Sequence, residues 1–279
     1  MFKSPIVKRF FKRKVSVVAG CVLLLLIFTA LFGPFLTRYS PTEQNLRNSR
    51  AGISAQHWLG TDLLGRDTFT RLVYGARISM AVSFFGVISG TFIGMILGVL
   101  SGYYGRWVDA LISRSIDVLL SFPGLLLGIV VVAILGPGSM NTAIVIAIFC
   151  IPSISRITRG TVLTLKNEEY VQAAQVMGAS SARIIFTHII PNSISLIIVT
   201  VTLNLGTAIL TASSLSFLGL GVQPPYPEWG SMLATAREVV RSYPLGVFAP
   251  GLVITITVLS FSLMGDGLRD ALDPKLKNR

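Results

Sequence analysis

The sequence predicts an all-α, polytopic membrane protein with six transmembrane helices. Three observations carry this reading. Only 13% of the 279 residues are charged and 52% are hydrophobic. Soluble domains average about 25% charged residues, so the composition fits lipid rather than water as solvent. Uncharged apolar runs long enough to cross a bilayer, which takes about 20 residues, recur along the chain. Lys and Arg are spread unevenly over the loops between those runs. The net charge of +12 therefore reads as the cytoplasmic excess of basic residues that membrane proteins collect, and no nucleic-acid partner is expected.

The elements follow in chain order. Residues 1–14 are a basic N-terminus, and residues 15–36 are the first span. This apolar run of 22 residues exceeds a signal-peptide core of about 7–15, and no A-x-A site follows, so an uncleaved span is expected. Residues 37–77 form an extracytoplasmic loop. Residues 78–266 are a core of five further spans, and residues 267–279 a C-terminal tail. Within the core, 78–103 is the second span, and the third, 115–135, admits Asp117 near its start. The fourth begins near Met140 and stays apolar to Ser155, with Arg156 and Arg159 marking its polar end. The fifth lies in the uncharged block 189–227, whose tail SLSFLGLGVQPPYP is rich enough in Gly and Pro to break a helix. The sixth is 244–265. Placing both termini in the cytoplasm puts 16 of the 24 Lys and Arg residues, and every lysine, on the inside, as the positive-inside rule requires. Cys21 and Cys150 fall inside apolar runs, so neither a disulfide framework nor a metal site is expected.

Several functions are disfavoured by what the spans lack. A carrier driven by protons or sodium keeps acids or histidines at mid-depth, and the two histidines, His57 and His188, fall in loops or at a boundary. No nucleophile and base cluster as a hydrolase needs, so no catalytic residue is assigned. No GxxxxGK[ST] is present, so the chain is not expected to bind ATP itself. Energy for uphill transport would have to arrive from another protein. Within the second span, Gly86, Gly90, Gly94, Gly98 and Gly102 recur every fourth residue and form one row on a helix. Such a row is a seam for close helix packing, with either a neighbouring span or a partner subunit against it.

The segment NEEYVQAAQVMGASSARIIFTHIIPN, residues 167–192, is a charge-bearing island between the fourth and fifth spans. Asn167 is expected as an N-cap, with Glu168 and Glu169 at the positive end of a short helix. The helix would run through Met177, and Gly178 would supply the left-handed stop. Ser180 or Ser181 would cap a second helix leading through Pro191 into the fifth span. Tyr170, Val171, Ala174 and Met177 fall at three- and four-residue spacing as one apolar stripe. An interfacial helix on lipid is usually rich in Lys and Arg; this one opens Glu-Glu and has no base before Arg183, which favours docking to a protein.

Ala173-Ala174, Gly178 and Ile190-Pro191 resemble the cytoplasmic EAA loop of ABC importer permeases, in particular the C-type subunit of the dipeptide, oligopeptide and nickel branch. Gln172 stands where that family usually has Glu. HWLGTDLLGRDTFTRLVYGARIS, GYYGRWVDALISRSIDVLLSFP, SFLGLGVQPPYPEWGSMLATAR and DGLRDALDP are similar to other family segments in the expected order. The resemblance implies a type I importer permease fold in a bacterial inner membrane, with 167–191 as the loop carrying the cytoplasmic coupling helix. It implies as partners a homologous B-type permease, two ABC ATPase subunits that bind the ATP, and an extracytoplasmic substrate-binding protein. It implies that Glu169, Tyr170, Ala173, Ala174 and Gly178 make or shape the ATPase contact and that Pro191 fixes the exit into the fifth span. Dipeptides or oligopeptides are the implied solutes, with nickel or another metal–chelator complex as the alternative. Trp229 and its neighbouring prolines form either a scoop at the outer mouth or an aromatic anchor at the interface. Asp62, Arg66 and Asp67 are expected to pair as loop-shaping surface groups.

Overall fold

The computed structural model describes residues 5–272, with side chains from residue 9 onward except Pro34. Lys3, Lys275, Lys277 and Arg279 of the expected basic tails lie outside the described residues, as does the end of DGLRDALDP. The architecture is all-α. A short helix α1 (Pro5–Lys12) precedes α2 (Lys14–Leu36). An irregular segment then leads into α3 (Thr68–Tyr104), α4 (Arg106–Ser121), α5 (Gly124–Leu135) and α6 (Ser139–Leu165). After the island helix α7 (Glu169–Val176), α8 (Ser181–Ile184) continues through one π-helical turn, Ile185–Ile189, into α9 (Ile190–Phe217). The chain closes with α10 (Trp229–Ala236) and α11 (Leu245–Leu272).

Among the described residues, five helices are long and apolar enough to cross a membrane, and α4 with α5 make a sixth crossing if the 94° bend between them is spanned by one passage. The α3–α6 seam decides that question. A Cβ on Gly86, Gly90, Gly94, Gly98 or Gly102 would meet Ile146, Cys150, Ile154, Thr158 or Val162 respectively. Each pair is separated by the same 60 residues, so the two helices run parallel. Parallel helices begin at the same end, so α4 and α5 must carry the chain back across. The glycine row therefore packs against a neighbouring span of the same chain. The hypothetical Cβ atoms fall 2.5–2.9 Å from α6 atoms, a separation only glycine allows.

The structure departs from the sequence reading at span edges, each time for a local reason. α3 starts ten residues before residue 78 because Asp67 caps it, accepting from the Thr70 amide at 2.7 Å. The third span is broken at Phe122-Pro123. Proline disfavours helical backbone in the residue before it, and Phe122 is extended with ψ 137°. α6 runs past Arg156 and Arg159 because α4 supplies a carboxylate to each. Arg159 Nε and Nη2 donate to Asp109 at 2.6 and 2.7 Å, and Arg156 Nη2 donates to Asp117 at 2.8 Å. The break after Phe217, by contrast, falls where the Gly- and Pro-rich tail places it.

The two ends of the bundle differ in chemistry. Arg13, at the start of α2, pairs with Asp270 at the end of α11, and Ser16 Oγ donates to the Leu263 carbonyl at 3.1 Å. α2 and α3 are antiparallel, with Gly33 near the end of α2 against Val73 near the start of α3. The starts of α1 and α2 and the end of α11 thus share one end with the ends of α3 and α6 and with the island.

Candidate functional site

The island is built on the ends of α3 and α6. Lys166 closes α6, and its Nζ donates to the Tyr103 carbonyl at 2.7 Å while lying 5.4 Å from the Tyr103 ring centroid. Asn167 does not cap α7; its amide nitrogen donates backward to the Leu163 carbonyl at 3.1 Å, and Glu168 is the extended residue that starts the helix. An Asn just after a helix can bond either way, and here the carbonyls left free at the end of α6 win. Gln172 Nε2 donates to the Asn167 carbonyl at 3.3 Å. A glutamate, the usual family residue, could not donate there, so this departure has a local use.

The expected apolar stripe is two faces rather than one. Val171 and Ala174 are buried against Val99, Tyr103, Val162, Ile184 and Ile189 of the same chain. Tyr170 and Met177 point away, at 43% and 81% exposure, and Val176 beside them is 89% exposed. Glu169 and Ala173 are also exposed. Ala174 therefore shapes the site from beneath, while Tyr170, Ala173, Val176 and Met177 form its outer surface. Sequence reasoning missed Val176. The signal was an eight-residue helix with apolar residues at spacings that fill both of its sides.

Gly178 ends α7 as expected, with φ +81°. The Ala179 amide donates to the Ala174 carbonyl and the Gly178 amide to the Gln175 carbonyl, both at 3.0 Å, a Schellman closure that left-handed glycine permits. Ser180 then caps α8, accepting from the Arg183 amide at 3.3 Å. Pro191 is exposed in the first turn of α9. Its ring and missing N–H are disruptive toward the carbonyl four residues back, and the preceding π turn opens the helix at that point. Tyr170 leans on the start of α9, its ring 5.8 Å from that of His188 and its hydroxyl 3.5 Å from Asn192 Nδ2. The island is thus fixed to α3, α6 and α9 at once.

The opposite end is held by buried polar groups. Asp62 pairs with Arg66 at 2.7 Å and Arg71 at 3.5 Å. Arg71 also donates to the carbonyls of Pro41 and Pro225, and Tyr243 bonds Leu59 and Thr68. Asp67 pairs with His57 at 2.9 Å. Arg66, Asp67 and Arg71 are each about 5–6% exposed, so these are internal ties rather than surface pairs. Trp229 is fully buried; it packs on Gly75, and its Nε1 donates to the Leu72 carbonyl at 3.0 Å. It is therefore a core wedge, neither a scoop at the mouth nor an interfacial anchor.

Glu228 beside it is 1% exposed, accepting from Ser79 Oγ at 3.0 Å and the Ser231 amide at 2.9 Å. Burial pushes its carboxyl above the ordinary value of 4.5, against hydrogen bonds that pull it down. An acid raised in the folded state binds its proton more readily there than when unfolded, so its contribution to stability is full below about 4.5 and is lost as pH rises through the folded value. The thermal midpoint of the chain should fall more steeply with rising pH above 4.5 than that of Glu228→Gln. Identical slopes in the two proteins would contradict this.

Six crossings around a glycine seam, with a helical knuckle riding on one end, define a multi-pass membrane transport subunit. The comparisons place it further. Residues 90–278 match the family described as binding-protein-dependent transport system inner membrane component, and residues 5–52 match the N-terminal TM domain of oligopeptide transport permease C. The chain belongs to this family of inner-membrane permeases. It is 50% identical over 271 residues to the dipeptide transport system permease protein DppC of Alkalihalophilus pseudofirmus, covering 97% of this chain and 89% of that one. It is 48% identical over 272 residues to the glutathione transport system permease protein GsiD of Pectobacterium atrosepticum, covering 97% and 90%. Among solved structures, the fold is similar to an inward facing MetNI methionine ABC transporter, with TM-score 0.59 and 18% identity over 74% of this chain and 98% of that one. An amino acid ABC transporter gives TM-score 0.55 and 16% identity, over 71% and 92%.

Proposed function

We propose that this chain forms one half of the pore of an ATP-driven importer of short peptides. A homologous B-type permease supplies the other half. Two ABC ATPase subunits dock on the island from the cytoplasm and hydrolyse the ATP, and an extracytoplasmic binding protein delivers the solute. The observation that carries the reading is the apolar ridge of Tyr170, Ala173, Val176 and Met177, exposed on a helix whose other face is bolted to its own bundle. Closure of the ATPase dimer would move α7 as a rigid lever. Nucleotide state then biases two packings of the spans, which is alternating access. The start of α1 and the end of α11 share the island's end, and the sequence puts most of its Lys and Arg in the segments that flank these elements, which supports a cytoplasmic placement for all three. Relatives named for dipeptide and for glutathione match almost equally well, so the substrate class proposed is peptides of two or three residues.

The test is a pair of charge substitutions. Met177→Glu with Val176→Glu should leave insertion and pairing with the second permease intact. Burying charge in a partner's apolar groove should weaken ATPase association by roughly 30-fold or more, the scale of losing an interface hot spot. The contrasting change, Ala174→Glu, should unfold the island rather than undock it. Should the double variant co-purify with the ATPases and take up labelled dipeptide at the normal rate, the docking role is wrong.

A further inference from the structure

Arg77 stands at the mouth of a furrow that no role above uses. The furrow holds about 560 Å3 and runs between α3 and α6, walled by Ala81, Phe85 and Ser89 on one side and Met140 and Ile144 on the other. Arg77 is the single charged residue in its lining. The side chain is exposed and has no ion-pair or hydrogen-bond partner among the described residues. Three buried or half-buried acids of this end are committed elsewhere: Asp62 to Arg66 and Arg71, Asp67 to His57, Glu228 to Ser79 and Ser231.

The dimensions and setting identify the occupant. Arg77 directly precedes the uncharged run that begins at Ile78, the end of a span, where a long basic side chain reaches the interface. From Arg77 to Ser89 is about 18 Å at 1.5 Å per residue, close to the roughly 15 Å of one leaflet's hydrocarbon. Val145 and Phe149, on the opposite side of α6, pack against Gly128 of α5. The furrow therefore opens away from α5, beside the exposed Phe84, Ile88 and Phe92 of α3. A peptide carboxylate could satisfy Arg77, but an apolar groove of leaflet length matches an acyl chain.

We propose that this furrow is a phospholipid site: Arg77 holds the phosphodiester, and one acyl chain lies along the groove between α3 and α6. A guanidinium matches phosphate oxygens with paired donors, and the apolar walls bury the chain.

The test uses the assembled transporter in nanodiscs of phosphatidylethanolamine and phosphatidylglycerol, followed by native mass spectrometry of the released complex. The wild type should retain a phospholipid whose occupancy drops roughly tenfold in Arg77→Gln, the scale of a charge-assisted hydrogen bond. Ser89→Leu, which fills the lower furrow, should lower it as well. Both positions are solvent- or lipid-exposed, and assembly is checked by size-exclusion profile. A photoreactive residue in place of Met140 in an otherwise wild-type chain should label phospholipid. Equal retention of lipid by the wild type and both variants would overturn the proposal, as would labelling of a supplied dipeptide in place of lipid.

Discussion

Gly90→Ala is expected to destabilise the chain by about 1–3 kcal/mol, the usual range for overpacking, and Gly90→Leu to prevent assembly of the bundle. A Cβ there would lie 2.5 Å from the Ala147 carbonyl oxygen, 2.7 Å from Cys150 Cβ and 2.9 Å from Ala147 Cα. Two of those three atoms are backbone, which cannot rotate aside. α6 cannot retreat as a whole either, because Gly86, Gly94, Gly98 and Gly102 hold it at the same separation along most of its length. The control lies in the same protein. A Cβ at Gly160 of α6 or Gly20 of α2 would meet nothing within 4 Å. Alanine there should be silent or stabilise by a few tenths of a kcal/mol through helix propensity. Thermal unfolding of the purified chain, followed by loss of its monodisperse size-exclusion peak, separates the cases. If Gly90→Ala melts with the wild type, the parallel seam is misplaced, and with it the inference that α4 and α5 together make one crossing.

Trp229→Ala should cost about 3–5 kcal/mol, as deletion of a buried aromatic does. The indole is fully enclosed, in a cluster with Leu23 and Ala30 of α2, Ala76 of α3, Ile209 of α9 and Ile254 of α11. Its removal therefore opens a hole where four spans meet, and α10 loses its anchor. Trp229→Phe should cost less, because it keeps most of the volume and gives up the hydrogen bond to Leu72. The measurement is again thermal stability, with uptake assayed well below the melting transition. A Trp229→Ala protein that melts normally yet fails to transport would restore the tryptophan to the mouth of the pore.

Much of the fold was legible in the sequence because lipid imposes a coarse rule. A crossing needs a long uncharged run, and composition reports that directly. The rule fails where helices leave lipid or where a charge is paired between neighbouring helices. The first ten residues of α3 and the last ten of α6 were invisible for these reasons. Asp67 caps the former, and the Asp109 and Asp117 carboxylates accompany the latter. The bend at Phe122-Pro123 carried a readable signal, since a proline follows, but the unbroken hydrophobicity on both sides masks it. In the island, Gly178 and Ser180 were readable because left-handed backbone and N-capping are local chemistry. Asn167 was not, because its amide had two competing sets of neighbours.

The sequence by itself determined the solvent, the number of crossings and the presence of a capped helix on a loop between two of them. Those depend on residue type and on spacing along a few helical turns. Only the tertiary structure decided what the glycine row faces, that Trp229 is interior, and that Val171 and Ala174 turn inward while Val176 and Met177 turn out. The physical reason is that an apolar side chain records only its aversion to water. Whether lipid, a neighbouring span or another protein shields it is set by packing between segments tens of residues apart, here α3 against α6 at a separation of 60.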